Sequence, residues 1–334
     1  MKILVDCFGG DNCPKAAVEG AVLAINADKD LKVGLVGAKD KIQEVLSSLS
    51  YSADQIEIIE ANDVITNDDN PIMAIRRKKD SSMVVALNKL HEEDYDGLVS
   101  SGNTGALLTG ATLIVRLIDG VQRATLAPLV PTVVKNKYTI VCDAGANVDC
   151  KASMLKEFAI MGDIYVRSAF GIESPKVALL NNGAEEEKGN ALTKEAHQLL
   201  KKSNLNFVGN IEATDAVNGD VDVIVCDGFD GNVAIKAIEG MAKNFIKLIK
   251  QGVQENGLKA KIGALLLKPT LKGVKKKMST DEVGGAVFLG VQKVVVKAHG
   301  SSQEIPFKAS IEQAVRMAKE NVCGLIEKGI KECK

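Results

Sequence analysis

The chain has 334 residues, of which 46% are hydrophobic and 25% charged, the balance of a globular protein with ample material for a core. Its formal net charge of −1 argues against a protein that coats nucleic acid, so no nucleic-acid partner is expected. The length suits one large domain, and we treat residues 1–334 as a single domain in which a subdomain boundary near residues 118–150 is the alternative.

The cysteines and the N-terminus indicate a cytoplasmic protein. The seven cysteines contain no C-x-x-C pair, and most lie in apolar runs, so reduced buried thiols are expected rather than disulfides or zinc ligands. The first residues lack the apolar stretch of a signal peptide, and no run approaches the roughly 20 apolar residues that span a bilayer. We therefore expect a protein that is not integral to a membrane.

Val- and Ile-rich runs alternate with helical patterns along the chain. Strands are predicted at Lys2–Phe8, Lys32–Gly37, Ile56–Ala61, Gly97–Ser100, Thr139–Asp143, Lys176–Leu180, Asn206–Asn210, Val221–Cys226 and Val294–Ala298. Helices are predicted at Lys15–Asn26, Lys39–Leu49, Ser81–Glu92, Thr104–Leu117, Met154–Phe170, Ala191–Ser203, Asn232–Glu255 and Ile311–Lys331. The strands are continuous apolar runs, which predicts an α/β fold with a mostly parallel sheet covered on both faces.

Glycine-rich polar loops follow six of these strands. They occupy residues 6–14, 100–106, 143–149, 181–190, 227–232 and 297–302, and each combines Gly with Asn, Asp or Ser. Gly lets backbone N–H groups approach a ligand closely, and several loops lead straight into a helix, whose N-terminus favours an anion. One such loop is most simply a tight turn with a helix cap. Six loops at the same end of a sheet predict an oxyanion site.

Several catalytic motifs are missing from the chain. It has no G-x-G-x-x-G or G-x-x-x-x-G-K-[ST] for nucleotides, no G-x-S-x-G elbow and no H-E-x-x-H. The chain has three histidines, which argues against a Ser/His triad and against a metal centre with several histidine ligands. The chain is built to hold an anion rather than to supply a nucleophile, and we expect no cofactor and no metal.

The motifs resemble the PlsX family of acyl-ACP:phosphate acyltransferases. The family's first loop, basic motif and second loop stand here as Asp6–Pro14, Arg76–Met83 and Ser100–Ala106. Later motifs match at Asp143–Asp149, Lys188–Asn190, Asp227–Asn232 and Lys297–Ser302. Departures from the family pattern are Cys7, Phe8, Cys13, Ser101 and Asn182, which leave the polar and glycine positions in place.

The resemblance implies a reaction and an architecture. Long-chain acyl-ACP and inorganic phosphate would give acyl phosphate and free acyl carrier protein (ACP), and the acyl phosphate would feed phospholipid synthesis. The implied fold is a Rossmann-like three-layer α/β/α sandwich similar to isocitrate dehydrogenase and phosphotransacetylase. A homodimer and peripheral contact with a membrane are also implied.

Phosphate is already an anionic nucleophile, so the enzyme has to position it and stabilise the tetrahedral oxyanion. We hypothesise that Lys188 grips phosphate together with Asn190 and Asn232, aided by N–H groups around Gly10 and Gly231.

A second set of residues is assigned to the remaining oxygens. Asn103, Thr104 and the amides of the Gly102–Gly105 turn are candidates for the other phosphate oxygens or for the oxyanion. His299 is either a substrate-binding residue or a packed imidazole at a strand end.

Two carboxylates accompany these residues. Asp11 and Asp227 cannot donate to phosphate when ionised, so we expect them to orient Lys188, Lys236 or a backbone nest. A general-base role for either carboxylate stays open.

Two basic segments stand out in this nearly neutral chain. Arg76, Arg77, Lys78 and Lys79 form either a solvated helix face or a dock for the acidic carrier protein. Residues 257–280 carry seven lysines and no acidic residue, and Pro269 is expected to end or kink the predicted helix there. One arc of this helix carries an apolar stripe with a flanking lysine: Leu258, Ile262, Leu265, Leu266 and Lys259. It predicts either contact with an anionic membrane or a dimer interface.

Three other readings are weighed against the acyl-ACP enzyme. A phosphotransacetylase-like enzyme would use acyl-CoA and would need a nucleotide site. A dehydrogenase of the isocitrate type lacks support because there is no dinucleotide fingerprint and no clear set of metal-binding carboxylates. A catalytically silent scaffold at the membrane would not need six anion-binding loops.

Overall fold

The computed structural model describes residues 1–277 and 283–333. The strands are β1 Lys2–Asp6, β2 Lys32–Gly37, β3 Ile56–Glu60, β4 Gly97–Ser100, β5 Thr125–Ala127, β6 Leu129–Pro131, β7 Tyr138–Cys142, β8 Val177–Leu180, β9 Phe207–Ile211, β10 Val223–Val225, β11 Ala286–Leu289 and β12 Val294–Lys297. The helices are α1 Lys15–Ala27, α2 Lys39–Leu46, α3 Pro71–Arg77, α4 Ser82–Glu92, α5 Thr104–Gly110, α6 Ala152–Phe170, α7 Ala191–Lys201, α8 Gly228–Glu255, α9 Gly257–Lys277, α10 Glu304–Lys319 and α11 Val322–Glu332.

The strands form two mostly parallel sheets. The first has the order β3-β2-β1-β4-β12-β11-β5, and the second has the order β6-β7-β10-β8-β9. In the first sheet β11 runs antiparallel to both neighbours, and in the second β6 runs antiparallel to β7. The predicted α/β fold with a mostly parallel sheet and helices on both faces is confirmed.

The two sheets meet where β5 passes into β6 at Pro128. The Ala144 N–H donates to the Leu126 carbonyl at 2.9 Å, and the Val141 N–H donates to the Pro128 carbonyl at 3.1 Å. The end of β7 is thereby hydrogen-bonded to a strand of the first sheet. This junction places β5 of the first sheet beside the loop that follows β7 of the second.

The largest core cluster runs beneath both sheets. It includes Val5 and Leu35 from the first sheet together with Ile140 and Val225 from the second, all buried. The division of the chain into domains stays a prediction, and this shared core supports a single domain.

Local structure departs from the predicted elements in several places. The strands β5, β6 and β11 were not predicted, because runs of three or four residues carry little periodicity. The helix predicted at Ile311–Lys331 is two helices, separated at Asn321, whose φ of 50° is left-handed. Pro269 does not end the helix, since α9 continues through it, and the alternative of a kink stays a prediction. A solvent-facing helix can lose one N–H bond to proline without ending.

α8 and α9 form a hairpin of helices with little burial. In α8 only Gly228 and Gly231 are buried, and both lie in its first turn. Large apolar side chains are exposed along both helices: Met241, Phe245, Leu248, Leu258, Ile262, Leu265 and Leu266. Met278–Thr280, the end of the segment expected to be basic and amphipathic, lie outside the described residues. None of the described helices is long and apolar enough to cross a membrane.

Candidate active site

Asp6 organises the first two loops from a buried position at the end of β1. Its carboxylate accepts hydrogen bonds from the Ser100 hydroxyl at 2.7 Å and from the Phe8 N–H at 3.1 Å. The Ser100 oxygen in turn accepts the Gly102 N–H at 3.1 Å. Burial raises the pKa of Asp6, while these hydrogen bonds oppose the rise. One carboxylate therefore sets the shape of both loops.

Three loops of the first sheet pack directly on one another. Gly9 has a φ of +92°, and a Cβ at this position would lie 3.0 Å from the Gly102 Cα. The Asp11 N–H donates to the Gly300 carbonyl at 2.9 Å. The packing unites part of the predicted site: Gly10, Asp11, Gly102, Thr104, Gly105 and His299.

Three of the predicted site side chains cap helices. The Asn103 Oδ1 accepts the Ala106 N–H at 3.0 Å, and its Nδ2 donates to the Thr66 carbonyl at 3.2 Å. Asn190 caps α7 and Asp227 caps α8 through side-chain oxygens that accept backbone N–H groups at 2.9 and 2.8 Å. These caps hold the loops in place, and the Asn103 amide is engaged at both ends.

Asp143 organises the loops of the second sheet in the same way. Its Oδ1 accepts the N–H groups of Leu126 and Ala144 at 2.8 and 2.7 Å, and its Oδ2 accepts the Asn147 N–H at 2.6 Å. Burial raises the pKa of Asp143, and the N–H donors oppose the rise. The Gly228 N–H then donates to the Asn147 carbonyl at 2.7 Å, which ties the start of α8 to this loop.

The predicted phosphate ligands lie on these second-sheet loops and on α8. Asn232 packs against Gly145, where a Cβ would lie 3.5 Å from the Asn232 Cγ. Lys236 is exposed one turn further along α8. Lys188 is exposed after β8, and its stem packs over Gly183. Lys188, Asn190, Asn232 and Lys236 do not line the cavity that the first-sheet loops form with β6, α8 and α10.

That cavity has a volume of about 820 Å³ and two chemically different ends. Polar residues of the first-sheet loops line one end: Thr104, Lys297, His299, Ser301 and Ser302. Apolar residues of β6, α8 and α10 also line the cavity, together with the acidic Glu239 and Glu304: Leu129, Val130, Ile235, Ile238, Ala242 and Ile305. The His299 Nδ1 accepts the Ser301 N–H at 3.2 Å, so the neutral imidazole carries its proton on Nε2.

Lys297 is a site residue that the sequence interpretation did not single out. It is 9% exposed at the end of β12, and its Nζ donates to the Ala298 and Ser101 carbonyls at 2.6 and 3.2 Å. Burial lowers the pKa of Lys297 to about 8. The available signal was a lysine that ends an apolar strand inside one of the matched motifs.

Two departures from the family pattern contact each other. The Cys13 Sγ lies 3.4 Å from the Ser101 Oγ, directly over Gly10, where a Cβ would be 2.3 Å from that hydroxyl. Phe8 packs its ring on Gly37. Cys13 and Ser101 therefore pack against Gly10 of the first loop, and Phe8 packs against the end of β2.

The basic cluster lies next to this site, at the end of α3. α3 begins at Pro71, and a Cβ at Gly105 would be 2.8 Å from the Pro71 Cγ. Lys78 is neutralised by Asp69 at 2.8 Å, whereas Arg76 and Arg77 are exposed. Among the described residues, no group of His, Cys, Asp and Glu side chains is arranged to hold a metal ion.

Residues 1–325 match the family described as fatty acid synthesis protein. A phosphate acyltransferase from Clostridium acetobutylicum is 48% identical, and the match covers 99% of this chain and 99% of the relative. A phosphate acyltransferase from Clostridium botulinum is 49% identical over 98% of each chain. A phosphotransacetylase from Streptococcus pyogenes has the same fold, with a TM-score of 0.58, 19% identity, and coverage of 96% of this chain and 94% of that one.

The fold and these matches define an α/β enzyme of acyl transfer in lipid synthesis. The chain belongs to the fatty acid synthesis protein family, and the predicted membership of the PlsX family is confirmed.

The junction between α8 and the Asp143 loop predicts that position 231 requires glycine. A Cβ at Gly231 would lie 1.9 Å from the Asp143 carbonyl oxygen and 2.7 Å from the Cys226 Sγ. We expect Gly231→Ala to lower the free energy of unfolding by about 1–3 kcal/mol, as overpacking does. Urea denaturation followed by circular dichroism measures this change.

Gly240→Ala is the matched control on the same helix, because a Cβ there meets nothing within 4 Å. It should be neutral or stabilising by up to about 1 kcal/mol, because alanine favours a helix interior over glycine. Equal stability changes in the two variants would show that the contact with Asp143 does not exclude a side chain at position 231.

Proposed function

We propose that this acyltransferase takes a fatty acyl group from acyl-ACP and transfers it to inorganic phosphate, which gives acyl phosphate and free ACP. The observation that carries the proposal is the two-ended cavity, which offers apolar walls to an acyl chain and polar groups to a thioester carbonyl. The name phosphate acyltransferase, borne by relatives over their full length, supports phosphate as the acceptor.

In the proposed reaction the chain acts by positioning and electrostatics. Phosphate is held by the second-sheet loops and α8, where Lys188, Asn232 and Lys236 supply cationic and amide donors outside the cavity wall, and it attacks the thioester carbon from there. Asn190 contributes through the cap that fixes its loop, and Asp227 through the cap of α8. The first-sheet loops, with Thr104 and His299, face the carbonyl oxygen, and each wall is preorganised by a buried carboxylate.

A trapping assay tests this function. The protein is supplied with acyl-ACP and inorganic phosphate, and acyl phosphate is captured with hydroxylamine as hydroxamate. We expect hydroxamate that depends on both substrates, and at least tenfold slower formation with Lys188→Ala, because removal of a phosphate-binding cation weakens transition-state stabilisation.

Lys194→Ala, another lysine of the same region on α7, is the control and should retain activity. Absence of phosphate-dependent hydroxamate from acyl-ACP would refute the function, and product from acyl-CoA alone would favour the phosphotransacetylase-like alternative. Near-normal turnover of Lys188→Ala would remove only that residue.

The exposed end of α3 is proposed as the dock for ACP. Arg76, Arg77 and Lys79 stay available there, while Lys78 is neutralised by Asp69 and helps to fold the loop. α3 has 7 residues. At 1.5 Å per residue it ends about 10 Å from the turn at Gly105. A carrier protein bound at this helix would thus have its thioester arm close to the cavity.

Replacing Arg76 and Arg77 together by Ala should lower kcat/KM for acyl-ACP about tenfold at low salt, because charge speeds the encounter of acidic and basic partners. Lys201→Ala with Lys202→Ala is the matched control, a basic pair at the far end of α7. Steady-state kinetics at about 20 and about 300 mM salt, where the Debye length is about 20 Å and about 6 Å, measure the effect. Unchanged kinetics in the arginine variant would refute the dock.

The α8–α9 hairpin is proposed to pair two copies of the chain and to contact an anionic membrane from the cytoplasm. Its apolar residues are exposed, with Leu258 at 75% and Leu266 at 76%, and Lys259 lies beside them. An exposed apolar surface of this kind marks a protein or membrane interface.

Leu258→Glu with Leu266→Glu should weaken dimerisation or membrane binding at least tenfold, because each buried leucine contributes about 1.5–3 kcal/mol. Light scattering reports the mass of the particle, and flotation with vesicles of phosphatidylglycerol reports membrane binding. Leu325→Glu, at an exposed leucine of α11, is the control. A wild-type monomer that does not float would refute both roles of the hairpin.

A further inference from the structure

Lys297 stands in a row of polar side chains that crosses three neighbouring strands. Asp6 pairs in register with Ser100, and Ser100 pairs in register with Lys297, so the last residues of β1, β4 and β12 are aligned. Apart from the exposed Lys2 at the start of β1, the other residues of the three strands are buried and carry no polar side chain. The row lies directly beneath the loops that line the polar end of the cavity.

The Lys297 ammonium is held between two of these loops without a counter-ion in contact. Its Nζ donates to the carbonyls of Ser101 and Ala298, which engages two of its three hydrogens. Within residues 1–277 and 283–333, Nζ has no further hydrogen-bond partner and forms no ion pair within 4.0 Å. Lys297 itself forms part of the cavity wall, beside Thr104 and His299.

Burying an ammonium without a contacting carboxylate is unfavourable, so a fold that retains one has a use for its charge. We infer that the Lys297 ammonium stabilises the oxyanion that forms when phosphate attacks the thioester carbonyl, which makes Lys297 a further catalytic residue. The inference rests on the proposed function. The third N–H of the ammonium is the donor that this role requires.

In the step itself an oxygen of HPO₄²⁻ forms a bond to the thioester carbon, and the carbonyl π pair moves onto oxygen beside Lys297. The pair then returns, the C–S bond breaks, and sulfur leaves with the bonding electrons. The proton of the phosphate hydroxyl ends on that sulfur, so the products are the acyl phosphate dianion and a thiol. Lys297 stays protonated throughout and supplies charge only.

The surroundings of Lys297 predict a pH dependence. Burial lowers its pKa to about 8, and the charges of Asp6, Asp11 and Cys13 oppose that fall. His299 on the adjacent turn and two acidic residues of the cavity wall, Glu239 and Glu304, also face the site. Because the folded pKa lies below 10.5, the ammonium is present below about pH 8 and is lost above it.

The test compares Lys297→Met with Lys293→Met by the hydroxamate assay, with thermal denaturation as a check on folding. Lys293 is the matched control, since it is partly buried just before the same strand and its Nζ also donates to a backbone carbonyl, that of Tyr95 at 3.1 Å. We expect Lys297→Met to lower kcat by about 10²–10³-fold, as loss of an oxyanion donor does. The KM for phosphate should change less than about threefold. Lys293→Met should keep the wild-type activity.

A pH profile separates this role from a structural one. Wild-type kcat should fall about tenfold per pH unit above pH 8, whereas Lys297→Arg, whose guanidinium stays charged, should be flat to about pH 10. A wild-type kcat that is flat between pH 7 and 9.5 would overturn the inference even if the variants fail to fold. So would a Lys297→Met variant with normal kcat. A wild-type protein that makes no hydroxamate would instead refute the proposed function and this inference with it.

Discussion

A buried carboxylate at the end of one strand in each sheet is the constraint on which the site depends. Asp6 closes β1 and accepts hydrogen bonds from the loops after β1 and β4, whereas Asp143 follows β7 and accepts them from its own loop and from β5. Neither carboxylate can leave its position without breaking several of these bonds at once. The loops are therefore rigid before any substrate arrives, which is what electrostatic stabilisation of a transition state requires.

The order of the loops and much of the sheet could be predicted from the sequence. Long apolar runs such as Lys32–Gly37 predict a buried strand, and the glycine-rich segments after such runs predict ligand loops. Strand order could not be predicted, because pairing between β4 and β12 joins residues almost two hundred positions apart. The alignment of Asp6, Ser100 and Lys297 follows from this pairing and that of β1 with β4, so the sequence did not indicate Lys297 as a site residue.

The candidate site was predicted in part. Gly10, Thr104 and His299 are brought together by loop packing that the motifs anticipated. Asn103 was assigned to oxygens of the substrate, yet its side chain caps α5 and holds a neighbouring loop. A sequence identifies asparagine as a candidate ligand and as a candidate cap equally well, and only the hydrogen bonds distinguish the two roles.

The length of α8 couples the Asp143 loop mechanically to the distant apolar surface of the hairpin. Its 28 residues extend about 42 Å at 1.5 Å per residue, from a first turn packed against the Asp143 loop to a far end whose large apolar side chains are exposed in the described part of the chain. Gly231 lies at the fixed end, where the helix backbone contacts the Asp143 carbonyl with no side chain between them. A rigid rod transmits its tilt along its whole length. Whatever orients the distant apolar end therefore also sets the position of Ile238 in the cavity wall and of Asn232 beside it.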